Sequence, residues 1–253
     1  MSAAVPPLEL SVIVPCLNEE ENLALLVARI EQVLAQGKIH GEIVLVNDGS
    51  SDATGPMIDA LASTHPAVRA VHHAVNRGIA AGWQSGFEIA RGRWVCTIDA
   101  DLQYQPEDIA VLYREAVATG ASLVQGRRRT DQRDRRYAMS RGLDLLLKVV
   151  FSMPEHDVKS GFVVYRHDAF GDILAEASRF YYLQHMITVV AKAKGYSLRQ
   201  IETRFAARHA GQSFIGSFPL RMFALTLIDI GRAVRAYRFR SVRRSLRRGP
   251  LEA

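Results

Sequence analysis

The chain has 253 residues, 48% hydrophobic and 23% charged, and a formal net charge of +6. Those proportions exclude wholesale disorder, a collagen-like fibre and a coiled coil, and they suit one large α/β domain or one domain with an appendage. Its two cysteines, Cys16 and Cys96, exclude a disulfide framework and a four-cysteine zinc site, and both lie in or beside apolar runs, as reduced thiols of a cytosolic protein would.

Residues 1–9 lack the basic-then-apolar order of a signal peptide. A β-branched run at 10–14 predicts a strand ending at Pro15. A helix follows from about Glu20, with Leu23, Leu26, Val27, Ile30, Val33 and Leu34 at the helical period and Gly37 closing it. Residues 42–46 read as a strand, 47–52 as a turn-rich loop, and the chain then to Thr64 as a helix. A strand at 68–72, a glycine-tolerant helix at 79–91 and a strand at 94–98 come next. Pro106 opens a helix running to Thr119, and 122–125 is a further strand. Such an alternation predicts an α/β fold with a mostly parallel, doubly wound sheet, whose ligands bind beyond the carboxyl ends of the strands. Asn18-Glu19, Asn47-Asp48, Asn76-Arg77 and the stretch Asp99 to Gln103 all fall there.

The second half is less regular. Residues 127–141 hold seven arginines and two aspartates and read as a loop leading into a helix. Strands are expected at 159–165 and 197–203, a helix at 181–194 ending at Gly195, and a helix from Phe218 to about Arg248. No uncharged apolar run is long enough to span a bilayer; the nearest, 218–230, is broken by Arg221 and Asp229. Eight arginines and no acidic residue lie between Arg232 and Arg248, so that stretch carries +8 and the rest of the chain −2. Such a tail attracts phospholipid headgroups or nucleic acid.

The strongest chemical signal is Asp99-Ala100-Asp101-Leu102-Gln103 after an apolar strand. Two carboxylates at i and i+2 on a strand-end loop can converge on a hard divalent cation, Mg²⁺ or Mn²⁺, completed by water and diphosphate oxygens. The bland reading is a solvated acidic turn capping the next helix. Glu19 and Asp48 likewise sit on strand-end loops, where a carboxylate can accept from a base or ribose. Glu20, Glu21 and Asp52 are better read as helix N-terminal charges. The arginines of 127–141 suit a phosphate acceptor, since guanidinium forks match phosphate oxygens and a phosphate needs no general base. Most of them, Arg129, Arg133, Arg135 and Arg136, read equally well as a solvated face.

These pieces, in this order, resemble glycosyltransferase family 2, nearest its polyprenol-phosphate (dolichol-phosphate) mannose synthase branch. The matching stretches are SVIVPCLNEEENL (11–23), VLVNDGSSDAT (44–54), NRGIAAGWQSGFEIARG (76–92), DADLQYQPED (99–108), GRR (126–128), SRG (140–142), SGFVVYR (160–166) and RHAGQS (208–213). The resemblance implies the Rossmann-like GT-A fold over residues 8–216, with a C-terminal basic helical extension, 217–253. It also implies inverting transfer of a sugar from a nucleotide-sugar, GDP-mannose or a UDP-hexose, to a polyprenyl phosphate. Pro15, Leu17, Glu19 and Asp48 would contact the nucleoside. Asp99, Asp101 and Gln103 would form the metal and diphosphate site, with Asp101 and Gln103 as ligands. Arg127 and Arg141 match phosphate-holding arginines, and Arg208 a loop that closes over the donor.

The sequence departs from the family pattern in three ways. Gly211-Gln212-Ser213-Phe214 lacks a frequent lysine, Asn47 stands where aspartate is common, and no transmembrane helices follow. Neither a QxxRW motif nor a G-x-S-x-G elbow occurs. The 217–253 segment is expected to anchor the enzyme to an anionic membrane at the cytoplasmic face, alone or with a membrane partner subunit; the alternative is packing on the domain with a frayed tail. Two other readings stand beside this one. One is transfer to a hydroxyl with Asp157 as base. The other is a non-catalytic nucleic-acid or membrane binder, which leaves the carboxylate loops without a purpose, so no nucleic acid is expected.

Overall fold

The structure, a computed structural model, describes residues 7–129, 142, 145–147, 149–151, 153, 160–206 and 219–238. Its strands are β1 (Leu10–Cys16), β2 (Gly41–Asp48), β3 (Val68–His73), β4 (Trp94–Thr97), β5 (Leu123–Arg129), β6 (Val163–Arg166) and β7 (Leu198–Arg204). Its helices are α1 (Leu23–Gly37), α2 (Thr54–Thr64), α3 (Ile79–Ile89), α4 (Asp108–Thr119), α5 (His167–Leu174), α6 (Leu183–Lys194) and α7 (Pro219–Ala233). The strands form one sheet in the order β3-β2-β1-β4-β6-β5-β7. Every pair is parallel except those of β6, which runs antiparallel to β4 and β5.

β1 lies inside the sheet and is covered on both faces. Leu10, Val12 and Val14 pack with Leu23, Leu26 and Ile30 of α1 and Leu112 of α4. Ile13 packs on the other side with Trp83 of α3 and Phe170 and Ile173 of α5. That is the period-two alternation of a strand buried on both faces, and each such side chain contributes about 1.5–3 kcal/mol by leaving water. The glycines of α3 serve this packing: a Cβ at Gly86 would sit 2.5 Å from Ile13 Cγ2.

Three local outcomes add to or differ from the sequence reading. α1 ends at Gly37 as expected, and Lys38 takes the left-handed cap, at φ 53°, its N–H donating to Ala35 O at 3.1 Å while Ile39 N–H donates to Leu34 O at 2.9 Å. β6 begins at Val163 rather than at 159. Ahead of it, side chains replace ladder partners: Gln125 Nε2 donates to Ser160 O at 2.8 Å and Thr97 Oγ1 to Gly161 O at 2.6 Å. α5 is short and had no sequence signal; it forms because Phe170, Ile173 and Leu174 reach the core, while Asp168 Oδ1 accepts from Ala169 N at its start.

The edge of the sheet away from the carboxyl ends is held by a buried carboxylate. Glu42 is 2% exposed. Its Oε1 accepts from Ser11 Oγ at 2.7 Å and Arg91 N at 2.7 Å, and its Oε2 from Arg91 Nη2 at 3.0 Å. Burial alone would raise the Glu42 carboxyl, but these bonds from Ser11 and Arg91 hold it below the usual range. A depressed carboxyl contributes stability above its unfolded value of about 4.3 and loses it as pH falls through the folded value. Glu42→Gln should therefore lower stability at neutral pH by roughly 1–3 kcal/mol and flatten the loss below pH ~4.3, read from urea midpoints along a pH series. An unchanged acid limb would exclude this role.

The expected C-terminal extension is helical over α7 and continues as a π-helical turn, Val234–Arg238. Ile230, Ala233 and Tyr237 join the same core as α5 and α6. The boundary proposed at 216/217 and the arginines beyond Arg238 lie outside the described residues. No helix among the described residues is long and apolar enough to cross a membrane.

Candidate active site

The carboxyl ends of β1 to β5 and β7 and the start of β6 share one edge of the sheet, so their loops meet there. The loops after β1 and β2 are laced together. Asn18, at φ 55°, donates its N–H to Ser50 Oγ at 3.0 Å, and its Oδ1 accepts from Ser51 N at 2.8 Å. Glu19 N donates to Thr54 Oγ1 at 2.8 Å, and Ala53 N donates to Glu20 Oε2 at 2.7 Å. Asp52 Oδ1 accepts from Thr54 N at 3.0 Å. Glu20 and Asp52 thus do the local structural work expected of them. Gly49, at φ 73°, lies against the next loop, where a Cβ would meet Val75 C at 2.4 Å.

Pro15 and Leu17 are half-buried at the mouth of this double loop, and Glu19 is buried, its Oε2 accepting from Asn22 Nδ2 at 2.6 Å. Asp48 is also buried, and its oxygens face inward. Oδ1 accepts from His73 Nδ1 at 2.7 Å and Arg77 N at 2.9 Å, and Oδ2 from Gly78 N at 2.8 Å. His73 Nε2 lies 2.9 Å from Ser85 Oγ on α3. An ionised carboxylate can only accept, so His73 carries its proton on Nδ1, and in the neutral ring Nε2 accepts from Ser85. The Asp48–His73–Ser85 chain sets the turn at 76–78. The sequence carries no motif that singles out His73; the signal for it is that it pairs with Asp48 in the β2–β3 register.

The Asp99–Gln103 loop leaves β4 and turns at Leu102, which adopts φ 59°. Asp99 is half-buried and Asp101 is 8% exposed. Asp101 Oδ1 accepts from Gln103 N at 3.1 Å. Gln103 is fixed from β7: its Nε2 donates to Ala206 O at 3.3 Å and its carbonyl accepts from Ala206 N at 2.9 Å. Tyr104 pairs with Phe205, packs on Phe162, and its hydroxyl lies 2.8 Å from Ser160 Oγ. Arg29 of α1 grips Glu107 and Gln105 from outside.

Both carboxylates, with the Gln103 amide, are hard oxygen donors of the type Mg²⁺ and Mn²⁺ take. Among the described residues no group of three or more His, Cys, Asp or Glu could hold a metal alone. The set therefore fits an ion that keeps water and substrate oxygens, not one caged by protein.

The basic residues divide. Arg127 Nη2 donates to Glu202 Oε2 at 2.6 Å across the β5–β7 pair. Arg128, on the opposite face, lies over the Phe205 ring, 5.5 Å from its centroid, and Phe205 packs on Tyr104. Arg128 is therefore nearer the Asp101 loop by contact, which sequence alone did not distinguish. Arg141, Arg208 and the 211–214 loop lie outside the described residues.

A family model, glycosyl transferase family 2, matches residues 11–174. The chain belongs to glycosyltransferase family 2. It is a glycosyltransferase, and its seven-stranded, mostly parallel sheet with covering helices has the GT-A fold. A polyprenol monophosphomannose synthase of Mycolicibacterium smegmatis is 31% identical over 243 residues, 91% of this chain and 90% of that protein. A dodecaprenyl-phosphate galacturonate synthase of Rhizobium johnstonii is 37% identical over 128 residues, 49% of this chain and 37% of that protein. Among solved structures, a Pyrobaculum calidifontis mannosyltransferase in complex with GDP-Man and Mn²⁺ superposes with a TM-score of 0.64 at 17% identity, covering 92% of this chain and 67% of that one. Glucosyl-3-phosphoglycerate synthase of Mycobacterium tuberculosis, with Mn²⁺, UDP and phosphoglyceric acid, gives 0.65 at 20% identity, covering 88% and 78%. These two likenesses establish the fold.

Proposed function

We propose that this enzyme transfers a sugar from a nucleotide-sugar, GDP-mannose or a UDP-hexose, to the phosphate of a polyprenyl phosphate, with inversion at the anomeric carbon. The observation that carries it is the near full-length similarity to a polyprenol monophosphomannose synthase, joined to the carboxylate loop after β4. A phosphate oxygen of the acceptor attacks the anomeric carbon as the bond to the diphosphate breaks, and the nucleoside diphosphate leaves with the electron pair. The acceptor is already anionic, so no side chain need remove a proton.

Pro15, Leu17 and Glu19 line the nucleoside end, and Asp48 holds the 76–78 turn beside it. Asp101 and Gln103 would hold Mg²⁺ or Mn²⁺, with Asp99 on the diphosphate side. Such an ion, when bound, offsets the charge developing on the leaving diphosphate. Arg127 would exchange Glu202 for a phosphate, and Arg141 and Arg208 would complete the grip. Residues 8–216 are the catalytic unit, and 217–253 hold it at the cytoplasmic face of the membrane, with or without a membrane partner subunit.

Incubation with undecaprenyl phosphate, Mn²⁺ and mixed nucleotide-sugars, followed by lipid mass spectrometry, tests the reading. One new glycosyl-phosphoryl-lipid is the expected result and names the sugar. Consumption of a nucleotide-sugar without a lipid product would move the acceptor to a hydroxyl.

A further inference from the structure

The loop that carries Asp99 and Asp101 is held at both ends by one short segment, residues 160–161. At its start, Thr97 Oγ1 donates to Gly161 O at 2.6 Å. At its end, the Tyr104 hydroxyl lies 2.8 Å from Ser160 Oγ. Thr97, Tyr104 and Ser160 are all buried. Ser160 is itself fixed twice: its carbonyl accepts from Gln125 Nε2 at 2.8 Å, and its Oγ from Phe162 N at 3.3 Å. Gln125 Oε1 in turn accepts from Gln200 Nε2 of β7 at 2.8 Å. Residues 160–161 therefore act as a clasp on the loop, braced by β5 and, through it, by β7.

Tyr104 connects this clasp to the tip of the loop. Its ring packs against Phe162 and Phe205, with centroids 5.0 Å away in each case. Its backbone bridges to Phe205, and the next residue along, Ala206, makes both hydrogen bonds to Gln103. Leu102 meanwhile keeps φ 59°. A residue with a side chain stays in that left-handed region only where its surroundings over-determine it. A turn under such strain relaxes when its ties are cut.

We infer that Tyr104 is a positioning residue for the divalent cation: its hydroxyl on Ser160 and its ring on Phe205 hold in one conformation the loop that presents Asp101 and Gln103. Tyr104 acts through Gln103, its neighbour in the chain, and is not itself a ligand. An ion that keeps water and substrate oxygens takes few oxygens from the protein, so its affinity depends on those few being ordered in advance. Partners that orient a ligand commonly matter about as much as this requires, 10–100-fold in metal affinity. The inference rests on the assignment of Asp101 and Gln103 to the cation.

Mn²⁺ binding to the full chain, read from the EPR signal of free Mn²⁺ with GDP or UDP present, tests it. Tyr104→Phe keeps the ring and removes one hydroxyl. It should raise the Mn²⁺ dissociation constant about tenfold. Sugar transfer should need correspondingly more Mn²⁺, with kcat at saturating Mn²⁺ within about twofold of the unmodified enzyme. Ser160→Ala should shift Mn²⁺ affinity in the same direction, and the double variant should go no further than Ser160→Ala alone, since both remove one shared bond. A lowered thermal midpoint with Mn²⁺ affinity unchanged would make Tyr104 a purely structural residue and overturn the inference. On the unmodified chain, Mn²⁺ with the nucleotide should slow hydrogen exchange at 160–162 as well as at 101–105; protection confined to the loop would also overturn it. Asp101→Asn separates the two readings. If it leaves Mn²⁺ affinity unchanged, the cation assignment fails and takes this inference with it. If it weakens Mn²⁺ binding and Tyr104→Phe does not, the assignment stands and only the role of Tyr104 falls.

Discussion

Asp101→Asn should reduce sugar transfer by about 10³-fold while leaving the fold intact. The substitution keeps an oxygen to accept from Gln103 N, a bond of 3.1 Å that shapes the loop. It removes the negative charge and one hard oxygen from the set proposed for the divalent cation. Loss of one group that stabilises developing charge is worth roughly 10²–10³ in rate, and here the same change also weakens the ion's hold. Transfer should be measured at saturating donor and acceptor across a Mn²⁺ titration, with thermal unfolding as control. Partial recovery at high Mn²⁺ would fit a ligand whose affinity has dropped. Full activity at all Mn²⁺ levels would remove Asp101 from the metal site. Asp99→Asn should cost less in Mn²⁺ affinity, since Asp99 is assigned to the diphosphate side.

Much of this site was legible because each strand announces its own end. β1, β2 and β4 are apolar runs that stop at a polar cluster, and a parallel sheet gathers those ends on one edge. What was not legible depends on partners far along the chain. β6 reads as a strand from its side chains, but its direction is set by pairing with β4 and β5, which period-two alternation cannot reveal. Arg127 and Arg128 are adjacent in sequence and opposite in space. Gly126 faces Phe162, so alternation sends Arg128 to Phe205 and Arg127 to Glu202. Asp229 looked like a flaw in an apolar segment; it is the group that pins α7 to the backbone of Tyr181 and Tyr182.

Asp48→Ala should lower the unfolding free energy by about 3–5 kcal/mol and raise the KM for the nucleotide-sugar, with a smaller effect on kcat. The carboxylate is buried and accepts from three donors, His73 Nδ1, Arg77 N and Gly78 N. Its removal leaves those donors without an acceptor, at roughly 1–3 kcal/mol for each one that water cannot reach. The turn at 76–78 then loses the bonds that hold it beside the loops after β1 and β2, so the donor site loosens before the transfer step is touched. His73→Ala should act in the same direction more weakly, because the two backbone donors keep Asp48. A double-mutant cycle in urea should give a coupling above ~0.5 kcal/mol, as expected of residues in one hydrogen-bonded network. A contact from Asp48 straight to the nucleoside predicts otherwise: KM would rise with stability unchanged, and His73 would show no coupling. The two measurements therefore separate a residue that builds the donor site from one that touches the donor.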